Sequence, residues 1–112
     1  MHQHNWVKEA PVAVTVCDRT GTIVEMNEKA KQTFGADKDY VGTSVLDCHP
    51  EPARKKLAEM LESGRTNAYT IEKAGKKKLI YQMPWYAEGR LAGLVELSME
   101  IPATLPHFVR KP

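Results

Sequence analysis

The stretch PVAVTVCDRTGTIVEMNEKAKQTFG, residues 11–35, decides how this chain is read. Val12, Val14 and Val16 alternate with Ala13, Thr15 and Cys17, the period of two that sends alternate side chains to opposite faces of a sheet. Asp18 can hydrogen-bond backbone groups further along a turn, and Gly21 can take the positive φ that closes a short hairpin loop. Thr22 to Met26 then forms a second strand. Asn27 is a good N-cap, Ala30 and Phe34 lie four apart on one helix face, and Gly35 suits a helix stop. The segment predicts a hairpin followed at once by a short helix.

Outward from it, Asn5 to Ala10 predicts a short helical turn capped by Asn5, ended by Pro11. Ala36 to Asp47 is turn-rich, anchored only by Val41, Val45 and Leu46. Pro52 to Ser63 predicts the one longer helix: Ala53, Leu57, Met60 and Leu61 fall at i, i+4, i+7 and i+8, charged residues take the other face, and Gly64 suits its end. Three strands follow, Asn67 to Lys73, Lys77 to Tyr86 and Leu91 to Ile101, with turns at Ala74-Gly75 and Ala87 to Arg90. Pro84 cannot donate to a ladder and predicts a break or bulge beside Trp85. In the last strand Val95, Leu97, Met99 and Ile101 oppose Glu96, Ser98 and Glu100, read as a core face and a wetter face. The class is therefore α+β: a five-stranded antiparallel sheet with short helices on one face.

Asp18, Gly21, Ile23, Asn27, Ala30, Phe34 and Gly35 stand in the pattern D-x-x-G-x-I-x-x-x-N-x-x-A-x-x-x-F-G, which resembles the start of a PAS domain. The order hairpin, helices, meander extends that resemblance over residues 11–101. Residues 1–10 are then an N-terminal cap of the kind that in PAS proteins covers the sheet or a second subunit. Residues 102–112, with three prolines, form an extended tail that docks through Leu105, Phe108 or Val109. Cys48-His49-Pro50 leading into the long helix is also similar to the PAS segment of uncharacterised bacterial proteins that pair PAS with hemerythrin-like modules, though no second module is present here.

A chain of 112 residues, 42% of them hydrophobic, is one domain with room for a core but not for a sensor and an effector together, so it is expected to act through a separate signalling partner. The formal charge of +2 lacks the basic bias of nucleic-acid binding. No apolar run approaches a membrane span or a signal-peptide core, which points to the cytoplasm. Two cysteines, Cys17 and Cys48, do not make a disulfide scaffold and are expected to be reduced.

The chemistry concentrates at Asp47-Cys48-His49-Pro50. His49 and Cys48 have three readings: a backbone-bonding histidine with a small buried cysteine, an axial ligand to haem iron as in some PAS relatives, or a contact to a small organic ligand such as a carboxylate. Asn27, Phe34, Tyr81 and Met83 join them as candidate ligand contacts. A catalytic Cys-His pair is disfavoured because adjacent side chains rarely aim at one atom, and no nucleophile-elbow signature is present, so no enzyme is expected. Zinc spacing is missing, although His2 and His4 can bind metal adventitiously. The asparagine-cysteine-arginine motif of flavin-binding LOV relatives is also missing.

The resemblance implies a sensory module that signals through protein contacts, with a homodimer as reporter. Trp6 and Val7 are expected to cover an outward sheet face carrying Ile80 and Leu94. Two alternatives stay open: a ligand-free dimerisation or partner-binding module whose cavity is filled by Phe34, Leu46, Leu57, Met60, Leu61, Tyr81 and Met99, and a haem-based redox or gas sensor.

Overall fold

A computed structural model describes residues 4–35 and 38–112, with Cys48 described in its backbone only. Strands β1 (Ala13–Asp18) and β2 (Ile23–Met26) form the hairpin and lead into helix α1 (Glu28–Phe34). A short 3₁₀ helix, Val45–Cys48, precedes α2 (Ala53–Ser63), and β3 (Asn67–Lys73), β4 (Lys76–Ala87) and β5 (Arg90–Ile101) complete the chain's regular structure. All pairings are antiparallel, in the order β2-β1-β5-β4-β3. The last strand thus inserts beside the first, closing a hairpin and a meander into one sheet.

Local chemistry explains these boundaries. Asp18 Oδ1 accepts from the backbone N–H of Thr20 and Thr22, both at 3.0 Å, and from the Thr20 hydroxyl at 2.7 Å, which pins the β1–β2 turn. Asn27 Oδ1 accepts the Ala30 N–H at 3.0 Å, a side-chain N-cap for α1. Gly64 ends α2 at φ 72°, ψ 24°, where its N–H reaches the Met60 carbonyl. Ala74 and Gly75 both have positive φ, the hairpin geometry of a two-residue loop between right-twisted strands. Pro84 leaves β4 continuous, and the irregularity expected beside Trp85 lies between Trp85 and Tyr86.

The core lies between the sheet and the helices. Ile23, Met26, Ala30, Val45, Leu57, Met60 and Leu61 pack there against Ala13, Cys17 and Leu94 of the sheet, with Phe34, Tyr40 and Leu46 at the margin. Each of the Ile, Leu, Val and Met side chains contributes about 1.5–3 kcal/mol through removal from water.

The faces of β4 and β5 are the reverse of the sequence reading. Leu94 belongs to the core, and the cross-strand register puts Glu96, Ser98, Ile80 and Gln82 on that same helix-covered face. Val95, Leu97, Met99 and Ile101 take the open face with Leu79, Tyr81 and Met83. Ile80 and Leu94, expected on an outward interface, are 6% and 4% exposed within the chain's own interior. Neither is available to a second subunit.

Residues 6–9 form a short turn in which the Lys8 N–H reaches the Asn5 carbonyl at 3.3 Å, with Trp6 74% exposed and Val7 half-buried. Residues 102–112 are extended, and Leu105, Phe108 and Val109 stand in solvent instead of docking. Among the described residues no helix is long and apolar enough to cross a membrane.

Candidate functional site

A row of polar side chains crosses the helix-covered face of the sheet. Asn67 of β3 is level with Gln82 of β4, Gln82 with Glu96 of β5, and Glu96 with Thr15 of β1. Because successive side chains alternate between faces, four residues in register necessarily share one face. Asn67 Nδ2 donates to Gln82 Oε1 at 3.0 Å, and Gln82 Nε2 donates to Glu96 Oε1 at 2.8 Å. Gln82 is only 7% exposed. Among the described residues no cation lies within ion-pair distance of Glu96.

His49 follows the 3₁₀ helix, its N–H bonded to the Leu46 carbonyl at 3.3 Å. Its ring Nδ1 lies 2.7 Å from the Val45 carbonyl oxygen. A carbonyl only accepts, so Nδ1 carries a proton and the neutral ring keeps its lone pair on Nε2. Two clefts meet around this ring. One, of about 380 Å³, is lined by Thr15, Phe34, His49, Tyr69, Ile80, Glu96 and Ser98 among others. The second, of about 420 Å³, is lined by His49, Leu57, Met60, Asn67, Tyr69 and Gln82 among others. Between sheet and helices a small space of about 20 Å³ is bounded by Thr15, Cys17, Phe34, His49, Gln82, Leu94 and Glu96 among others. The clefts pair aromatic and aliphatic walls with a few convergent polar groups, the usual make-up of a small-molecule site.

Electrostatics there follow from burial and from Glu96. Burial first, and the Glu96 carboxylate second, push the Tyr69 phenol above its ordinary value. Burial likewise raises the Cys17 thiol, and the Asp18 and Glu96 charges add to it. Cys17 is therefore a buried neutral thiol rather than a nucleophile. Among the described residues no three His, Cys, Asp or Glu side chains gather as metal ligands. His2 and the Cys48 side chain lie outside the described residues.

Of the residues expected to contact a ligand, His49 and Phe34 meet in one cleft. Tyr81 and Met83 do not, because the parity of β4 sends them to the open face. Asn27 is 5% exposed, and its amide is engaged by the Val7 and Val12 carbonyls and the Val14 and Ala30 N–H groups. It binds backbone. Asn67, Gln82, Glu96 and Thr15 were missed by the sequence reading. The signal was present in Asn67 at the start of β3 and in Gln82 and Glu96 near the middle of β4 and β5, but only the register aligns them.

Haem would use His49 or Cys48 as its axial ligand. His49 has a suitable tautomer, yet the clefts it lines are walled by the linked Asn67, Gln82 and Glu96. A porphyrin laid against that wall would cover a carboxylate with no cation beside it, so the residues present do not suit the group.

The family model described as PAS domain matches residues 11–83, more than half of the chain. Among solved structures, the C-terminal domain of a Streptococcus mutans protein aligns with TM-score 0.66 and 20% identity over 84% of this chain and 78% of that one. The PAS domain of Bordetella pertussis BvgS aligns at 0.61 and 18%, covering 86% of this chain and 81% of that one. A sensory box sensor histidine kinase from Vibrio cholerae aligns at 0.63 and 13%, covering 88% and 87%. No curated protein matches. With the five-stranded sheet in the order β2-β1-β5-β4-β3, helices on one face and the family match across residues 11–83, the chain belongs to the PAS domain family.

Proposed function

We propose that the chain is a sensory module of signal transduction that holds a small organic ligand between its helices and the polar row, and reports through the open face of its sheet. The observation that carries this reading is the distribution of polarity. The helix-covered face, where apolar packing is expected, carries Asn67, Gln82, Glu96 and Thr15, while the open face carries Val95, Leu97 and Met99. Polar groups set against a core cost stability that apolar side chains of similar size would not, as expected of residues kept for binding. The likeness to the BvgS PAS domain and to the Vibrio cholerae sensor histidine kinase supports a signalling context.

Signalling requires that the ligand bind two arrangements of the domain unequally. Glu96 and Val95 are neighbours on β5 that face opposite ways. A ligand pulling on the polar row therefore acts on the strand that also forms the middle of the open face. The partner reading rests on that face: a second copy of the chain seated there buries Leu97, Met99 and Tyr81, and the exposed Trp6 adds area. The rival, a pairing module with no ligand, draws on the same apolar face.

Titration of the purified chain with metabolite-sized compounds, followed by amide NMR, tests the ligand site. The expected result is a saturable shift at the Gln82 side-chain amide and at His49, the His49 shift being lost in Gln82→Leu/Glu96→Leu. That double variant is expected to be at least as stable as the wild type, because apolar residues replace a polar row kept for binding. A loss of about 2 kcal/mol or more in urea would make the row structural and overturn the reading. A Soret band that vanishes in His49→Ala would put haem in place of the organic ligand.

A further inference from the structure

Taking the polar row and its clefts as a ligand site, we propose that the ligand is a small organic cation, an amine or amidine, whose N–H groups meet the Glu96 carboxylate and Nε2 of His49. The inference begins with the direction of the row. An ionised carboxylate only accepts, so Gln82 must turn its NH₂ toward Glu96 and its oxygen toward Asn67, which must then donate. Every link runs toward Glu96, and the row ends in an acceptor. Glu96 Oε1 takes the Gln82 hydrogen bond, while Oε2 has no protein donor among the described residues. His49 uses its proton on the Val45 carbonyl, so its other nitrogen is a second acceptor beside the same small space.

The charges around the cleft sharpen the choice. Lys78 and Lys73 line the same cleft as Glu96, yet neither pairs with it. Lys78 stands four residues from Gln82 along β4, about 13 Å of strand. Phe34, Tyr69 and Ile80, which line the same cleft of about 380 Å³ as Glu96 and His49, supply apolar contacts for the body of such a ligand. A carboxylate ligand would instead meet an uncompensated carboxylate and a lone pair. The chain's net charge of +2 opposes cations in general, so a preference for one must come from this site.

Three isosteric probes test this on the full chain near neutral pH: benzamidinium, benzamide and benzoate, each titrated by amide NMR. Benzamidinium is expected to shift the Gln82 side-chain amide and to bind at least about tenfold more tightly than benzoate. Glu96→Gln is expected to remove that advantage. Should Glu96→Gln fail to fold, the order of the three probes on the wild type still decides. Benzoate binding as well as benzamidinium, or benzamidinium binding equally to Glu96→Gln, would overturn the cation and leave the ligand site standing. No shift with any probe would also overturn the cation, and the Gln82→Leu/Glu96→Leu stability measurement then decides separately whether a ligand site exists.

Discussion

Asn27 has two donor hydrogens and an oxygen with two lone pairs, and backbone meets all of them: its amide donates to the Val7 and Val12 carbonyls at 2.8 and 2.7 Å, and its oxygen accepts from Val14 and Ala30 at 2.9 and 3.0 Å. One side chain caps α1, closes the entry to β1 and holds the N-terminal turn. Asn27→Ala is expected to cost on the order of 3 kcal/mol in urea denaturation, since it leaves buried backbone groups unpaired; a loss under about 1 kcal/mol would contradict this account. Only the cap was legible in the sequence, because Val7 and Val12 lie 20 and 15 residues upstream and nothing local announces them. Asp18 acts on a smaller scale. The Thr20 hydroxyl, aided by backbone N–H groups, holds its carboxyl below the ordinary 3.8. The folded chain therefore binds this proton less readily than the unfolded chain does. The stabilisation is complete above the ordinary value and is lost as pH falls through the depressed one. Asp18→Asn should flatten the fall of the urea midpoint in this acid range. Parallel curves for the two proteins would reject the assignment.

At the scale of elements, alternation in β4 and β5 was plain from sequence, and the choice of which set meets the helices was not. Val95, Leu97 and Met99 make the more apolar stripe, and a one-sided sheet would turn that stripe inward. This sheet is apolar on both sides, with Leu94 and Ile80 inside and Leu97 and Met99 outside. A single binary choice therefore moved Tyr81 and Met83 out of the site and Ile80 and Leu94 out of the interface. The helix boundaries were legible because Gly64, Pro52 and the spacing of Leu57, Met60 and Leu61 act locally. The crossing of β5 by Trp85 was not. Its indole N–H donates to the Cys17 carbonyl at 2.9 Å, past Gly93, where an added Cβ would lie 1.9 Å from that carbonyl oxygen and 2.8 Å from the indole nitrogen. Gly93→Ala is expected to lower stability by several kcal/mol. Gly75→Ala, which meets nothing within 4 Å, should cost only about 1 kcal/mol for its positive φ. Equal thermal shifts for the two variants would show that the close packing at Gly93 is not what the chain depends on.

For the whole molecule, the open face decides what the domain can report to. Leu97 sits at its centre, paired with Val14 on one side and Tyr81 on the other. Leu97→Lys should leave the fold within about 1 kcal/mol of the wild type, because a lysine stem covers apolar surface while its ammonium reaches water. It should also convert a dimer to a monomer by light scattering. A wild-type chain that stays monomeric over a wide concentration range would remove the second copy as partner and leave a separate signalling protein. The contact between Trp85 and Cys17 has a practical consequence. The indole is tethered to the back of the strand whose other side bounds the space under His49, while the chain's second tryptophan, Trp6, stands in water. With Trp6→Phe, the emission of the remaining chromophore becomes a label-free optical gauge of that wall, so the domain carries its own dye for following occupancy in real time.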